Sequence, residues 1–66
     1  LEKGWVKLAS ASANQAEMIR VQLVAHGVNA IVINKQDSSY LFGEAEVFVP
    51  HDEVILAKRI LDEENA

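Results

Sequence analysis

The chain has no cysteine, one proline and three glycines, and its aromatic residues are one tryptophan, one tyrosine and two phenylalanines. Without cysteine there is neither a disulfide framework nor a thiolate zinc site, and nothing in the usage of that residue argues against a cytoplasmic setting. The glycines, Gly4, Gly27 and Gly43, stand far apart. No glycine-rich loop therefore opens a helix to cradle a phosphate. Basic residues are scarce, six against ten acidic ones, for a net charge of −4. They are scattered as Lys3, Lys7, Arg20, Lys35, Lys58 and Arg59. A nucleic-acid surface needs its cations clustered, so nucleic acid is not expected as a partner. No apolar run approaches the roughly eighteen residues of a membrane span, and no basic-then-apolar leader is visible. A membrane partner is not expected either, and the expected location is cytoplasmic.

What is present is apolar material: half of the 66 residues. That is ample for a core and argues against disorder. The length allows one domain, residues 1–66. A domain this small buries only about 60% of the surface of its unfolded chain. Its net stability is a few kcal/mol unless oligomerisation adds to it.

Five elements are legible. Gly4 to Ala9, "GWVKLA", has the Trp and Val content and partial alternation of a strand. Ser12 with Gln15 three residues later forms a capping-box pattern. Ala16, Ile19 and Leu23 then recur at helical spacing, and Gly27 after His26 is a natural stop, so a helix is expected over about Ala13 to His26. Val28 to Asn34 is β-branched and reads as the second strand, and Glu44 to Pro50 as the third, ended by its proline. From His51 onward, Val54, Ala57, Ile60 and Leu61 recur at helical spacing. Asp52 and Glu53 stand at the start, where the helix dipole favours negative charge. Asp62, Glu63 and Glu64 stand at the unfavourable end, so the expectation is that the last turn frays or that the natural chain continues.

The order β-α-β-β-α places a helix in the first crossover, so the strands flanking it are expected to be parallel, with a right-handed connection. About ten residues join the second and third strands, which suits an antiparallel hairpin. The simplest sheet sets the third strand between the first two, with both helices on one face. This is an α+β, ferredoxin-like split βαβ plan without its final strand. The first strand then has an unpaired edge, open to another chain. If Val47 and Val49 face the helices, Phe48 faces away from them, and Trp5 with it. The second strand is apolar on both faces. Exposed in a monomer, these residues point to a homo-oligomer.

The layout resembles a family of small bacterial proteins, the prokaryotic signal-transducing proteins, grouped with the PII-type regulators. The likeness rests on Ala16 and Glu17 early in the helix, Leu23, the turn His26 to Val28, the "VFVP" strand, and Ala57, Ile60 and Leu61. It spans nearly the whole chain from Trp5 to Leu61, and its motifs are core and turn positions. It implies a PII-like αβ domain with a regulatory role in signal transduction. It assigns no cofactor, because the residues that would hold ATP or a 2-oxoacid are not recognisable in this chain.

No catalytic set is evident. The histidines are His26 and His51, and the serines Ser10, Ser12, Ser38 and Ser39. Nothing places a histidine as base beside a serine, as a triad requires. His26 at a helix C-terminus complements the dipole. His51 or Asp52 is expected to cap the last helix, and no third ligand makes the pair a metal site. We therefore expect no catalytic, cofactor or metal residues, and not an enzyme.

Candidate partner-binding residues fall in three places. The connection Asn34 to Gly43 carries Tyr40, Leu41 and Phe42 side by side. Its polar half suits turn formation, its aromatic half could tuck under the hairpin, and exposed aromatics also make good binding anchors. The corresponding PII loop carries a modifiable tyrosine, which the resemblance would place at Tyr40. Trp5 and Phe48 lie on the sheet face away from the helices. Met18, Val21 and Ala25 form a second apolar stripe on the first helix, either a wide core-facing arc or a contact patch for a second subunit. The expected function is a non-catalytic regulatory or interaction domain that self-associates and binds a protein partner or small metabolite. The alternative is a PII-like sensor that binds a nucleotide or 2-oxoacid through the loop between strands two and three.

Overall fold

The structure, a computed structural model, describes residues 3–35 and 44–64. The elements are β1 (Trp5–Ser12), α1 (Ala13–Ala25), β2 (Ile31–Lys35), β3 (Glu44–Pro50), a 3₁₀ turn (His51–Glu53) and α2 (Val54–Glu64). β3 lies between β1 and β2 and pairs antiparallel with both. The expected strand order is therefore the observed one. The connection between β2 and β3, with Tyr40, Leu41 and Phe42, lies outside the described residues.

β1 runs three residues beyond the strand expected from Gly4 to Ala9, as far as Ser12. Lys7 pairs with Phe48 and Ala9 with Val47, so Leu8 is the extra residue of a bulge. The bulge explains why the alternation in this strand is only partial. Val6, Ala9 and Ala11 share one face even though the step from 6 to 9 is odd, and they stand opposite Val49, Val47 and Ala45.

Ser12 ends the strand and caps the helix, its hydroxyl oxygen accepting from the Gln15 N–H at 3.2 Å. At the far end Gly27 has φ +88, the left-handed conformation that terminates a helix. The Gly27 N–H donates to the Val24 carbonyl at 3.0 Å, and the Val28 N–H to the Leu23 carbonyl at 2.9 Å. This is the two-bond Schellman turn. Its apolar contact is present too, because Leu23 and Val28 are both buried in the core. Val28 thus belongs to the helix stop, and β2 begins at Ile31 rather than at Val28 as the β-branched run suggests.

The core comprises Ala16 and Leu23 from α1, Val28, Ala45, Val47 and Val49 from β3, and Ala57 and Ile60 from α2. One parity class of β3 thus meets both helices, which puts both on one side of the sheet. Leu8, Ile19, Val32 and Leu61 pack around this centre. Alanines at 16, 45 and 57 let backbones approach closely. Among the described residues no aromatic side chain belongs to the buried cluster.

α2 departs from expectation at its start. Neither His51 nor Asp52 caps it through a side chain; the residue at the cap of the 3₁₀ turn is Pro50, with no side-chain hydrogen bond. Tertiary contacts fix this end instead. The His51 N–H donates to the Gly4 carbonyl at 2.7 Å, and the Glu53 carboxylate accepts from the Asn29 backbone N–H at 2.9 Å and from Asn29 Nδ2 at 3.2 Å. The last turn does not fray as its acidic run suggests: α2 is helical to Glu64, whose Oε1 lies 3.4 Å from His26 Nε2. The 3₁₀ turn before α2 and the last turn of α2 thus each reach the connection between α1 and β2 through a glutamate side chain.

Candidate functional site

Among the described residues, helices cover one face of the sheet and nothing covers the other, and register assigns residues to that uncovered face. The residues opposite one another are Trp5 and Pro50; Lys7, Phe48 and Ile31; and Ser10, Glu46 and Ile33. Because directly paired residues share a face and Val47 and Val49 point to the helices, these rows point away. Trp5 and Phe48, the described aromatic residues, thus both belong to the uncovered side, as expected from parity. Trp5, Phe48, Ile31 and Ile33 are each half-buried by their neighbours within the sheet. An ion pair crosses this face, Lys7 Nζ to Glu46 Oε2 at 3.4 Å.

α1 supplies a second apolar surface. Met18 is 64% exposed and Val21 52%, and Ala25 is exposed as well. The second stripe is therefore not a core-facing arc: Ala16 and Leu23 are the buried residues of this helix, with Ile19 packed against the core beside them. Met18 and Val21 line a shallow groove of about 480 Å³ with Asn14, Glu17 and Gln22. Beside it the Arg20 guanidinium donates to the Glu17 carboxylate. That hydrogen bond, assisted by the charge of Arg20, lowers the Glu17 pKa and raises that of Arg20. A further groove of about 350 Å³ opens at the end of the sheet, walled by Trp5, Val24, Gly27, Ala30 and Ile31.

The His26 ring lies with Nδ1 2.8 Å from the Gln22 carbonyl, which can only accept, so Nδ1 carries the proton. Its position at the helix C-terminus agrees with the dipole reading. His51 is exposed on the 3₁₀ turn. Among the described residues no three His, Asp or Glu side chains gather in a way that could hold a metal ion. No polar or charged residue among them is buried.

Two features escape a reading of the sequence. The Glu53–Asn29 contact joins positions 24 residues apart and has no local signature. Ile55 is 79% exposed, and Leu56 is exposed beside it. In the apolar run Val54 to Ala57 one helix cannot bury every residue, and that was the available signal. Comparison with known proteins brings no match: no family model, curated protein or solved structure is similar to the chain.

Proposed function

We propose that the chain is a non-catalytic interaction domain of regulatory type, one that self-associates and uses the uncovered sheet face to bind a protein partner or small metabolite. One observation carries the reading: the apolar bulk of Trp5, Phe48, Ile31 and Ile33 lies outside the core, on a face with no helix over it. In an isolated soluble chain, aromatic mass is expected inside, where burying such a side chain contributes about 1.5–3 kcal/mol. Among the described residues the inside is filled by Leu, Val, Ile and Ala, and Trp5 and Phe48 are left for another surface. The exposed Met18 and Val21 extend the apolar area available to partners.

The element order and the strand order are compatible with a ferredoxin-like split βαβ fold lacking its last strand, and we read the fold that way. Among the described residues no helix is long and apolar enough to cross a membrane. A cytoplasmic location is part of the proposal.

Sedimentation equilibrium across micromolar to millimolar concentration tests self-association. The reading expects an apparent mass that rises above that of one 7.3 kDa chain. A monomer at every concentration overturns it.

A further inference from the structure

Asp62, Glu63 and Glu64 close α2 with negative charge where the helix dipole calls for positive charge. The last turn is nevertheless helical, and Glu64 reaches across the fold to His26. His26 stands at the C-terminal end of α1, where positive charge is favoured as well. One imidazolium there serves the ends of both helices.

The proton count of the ring decides whether it can. Nδ1 lies 2.8 Å from the Gln22 carbonyl and so keeps its hydrogen in either charge state. The neutral ring then has an unshared electron pair on Nε2, the atom that Glu64 Oε1 approaches at 3.4 Å. Two acceptors facing one another have no hydrogen to share. A second proton, taken from solvent, can enter only at Nε2, where it turns an unfavourable approach into an ion pair. The groups facing the ring are thus an uncharged carbonyl from α1 and the Glu64 carboxylate from α2. Arg20 of α1 and Lys7 of β1 are paired with Glu17 and Glu46. β3 carries its carboxylates, Glu44 and Glu46, opposite Ser12 and Ser10, beside the start of α1 rather than its stop.

We infer that His26 and Glu64 form a proton-dependent latch. With the ring doubly protonated, the last turn of α2 is tied to the stop of α1; with the ring neutral, that turn is released. The 3₁₀ turn before α2 is held differently, through Glu53 and the N–H groups of Asn29, which do not titrate. A rise in pH therefore loosens one end of α2 while the other stays anchored. The His26 and Glu64 side chains are 47% and 39% exposed. The latch accordingly has the strength of a surface pair, roughly 1.4- to 5-fold in the closing of the turn. An ordinary imidazole side chain titrates at about pH 6.5 and an ordinary glutamate at about 4.3. The latch is complete between those values and opens as pH rises through the upper one.

Solvent-exchange NMR on the intact chain at about pH 5 and about pH 8, on either side of the imidazole range, tests it. The readout is the protection of the Asp62, Glu63 and Glu64 amides, corrected for intrinsic exchange. The inference expects that protection to fall roughly 1.4- to 5-fold from the lower pH to the higher. Glu64→Gln should remove the fall while leaving His26 to act on the dipole of α1, and His26→Gln should remove it too. Equal protection at both pH values in the wild type, or the same fall in Glu64→Gln, overturns the latch.

Discussion

Replacing Gly27 by alanine measures how firmly the helix stop sets the start of β2. The residue has φ +88, and a Cβ added there would meet nothing within 4 Å. Steric clash with neighbours is thus absent, and the cost comes from the backbone alone. Holding an L-residue in the left-handed region costs about 1–2 kcal/mol. Alanine also narrows the unfolded ensemble, a gain of about 0.4–1 kcal/mol where the native conformation is compatible. The expected net loss is therefore about 0–1.6 kcal/mol, with a centre of about 0.8 kcal/mol. For a domain of this size the central value is a fall in Tm of about 3–6 °C. Gly27→Asn should lose less, because asparagine tolerates this conformation. Urea unfolding followed by circular dichroism measures the series. An alanine variant more stable than the wild type would refute the left-handed stop and with it the two hydrogen bonds from Gly27 and Val28.

Leu23→Ala should cost about 2–5 kcal/mol, because Leu23 is fully buried between α1 and the sheet. Set against a net stability of a few kcal/mol, that leaves much of the variant unfolded at room temperature by circular dichroism; a fully folded variant would contradict the assigned core. Glu53→Ala should speed hydrogen exchange at the Asn29 amide and lower stability by about 1 kcal/mol, the value of an ordinary hydrogen bond; unchanged exchange at Asn29 would dismiss the contact. Glu17 should titrate below 4.5, because the Arg20 hydrogen bond favours its ionised form. A depressed carboxylate pKa stabilises the fold above its unfolded value and loses that contribution as pH falls through the folded one. The change therefore lies below pH 4.5, and Arg20→Gln should abolish the shift in a carboxyl NMR titration.

What the sequence disclosed follows the range of the interactions involved. Ser12, Gln15 and Gly27 act within a few residues, so both ends of α1 could be read from local chemistry. The central place of β3 followed from connection lengths, and the outward direction of Phe48 from the parity of Val47 and Val49. The length of β1 did not follow, because its last residues are Ala and Ser, weak strand formers that pair only because β3 presents Ala45 to Glu46 opposite them. The start of β2 was hidden by Val28, β-branched yet committed to the helix stop. The start of α2 depends on Gly4 and Asn29, remote in sequence, so a local search for a cap at His51 or Asp52 could not find it. The candidate surface was legible in part. Trp5 and Phe48 followed from alternation, whereas the fate of Met18 and Val21 needed the packing of α1 to decide between core and solvent.

The central claim is that the largest side chains of the sheet lie on its uncovered face, available for binding. It is tested most directly by comparing two neighbours on β3, Val47→Thr and Phe48→Thr, for stability and for binding of an uncharged apolar dye. Val47 is fully buried, and a threonine there hides a hydroxyl at a cost of about 1–3 kcal/mol. Phe48 borders only Lys7 and Ile31 across the strands, pairs worth about 0.2–1 kcal/mol each. The account predicts that Val47→Thr is the more destabilising change although it alters volume far less, and that only Phe48→Thr removes dye binding. A Phe48→Thr variant that loses more stability than Val47→Thr and binds the dye as the wild type does would contradict it.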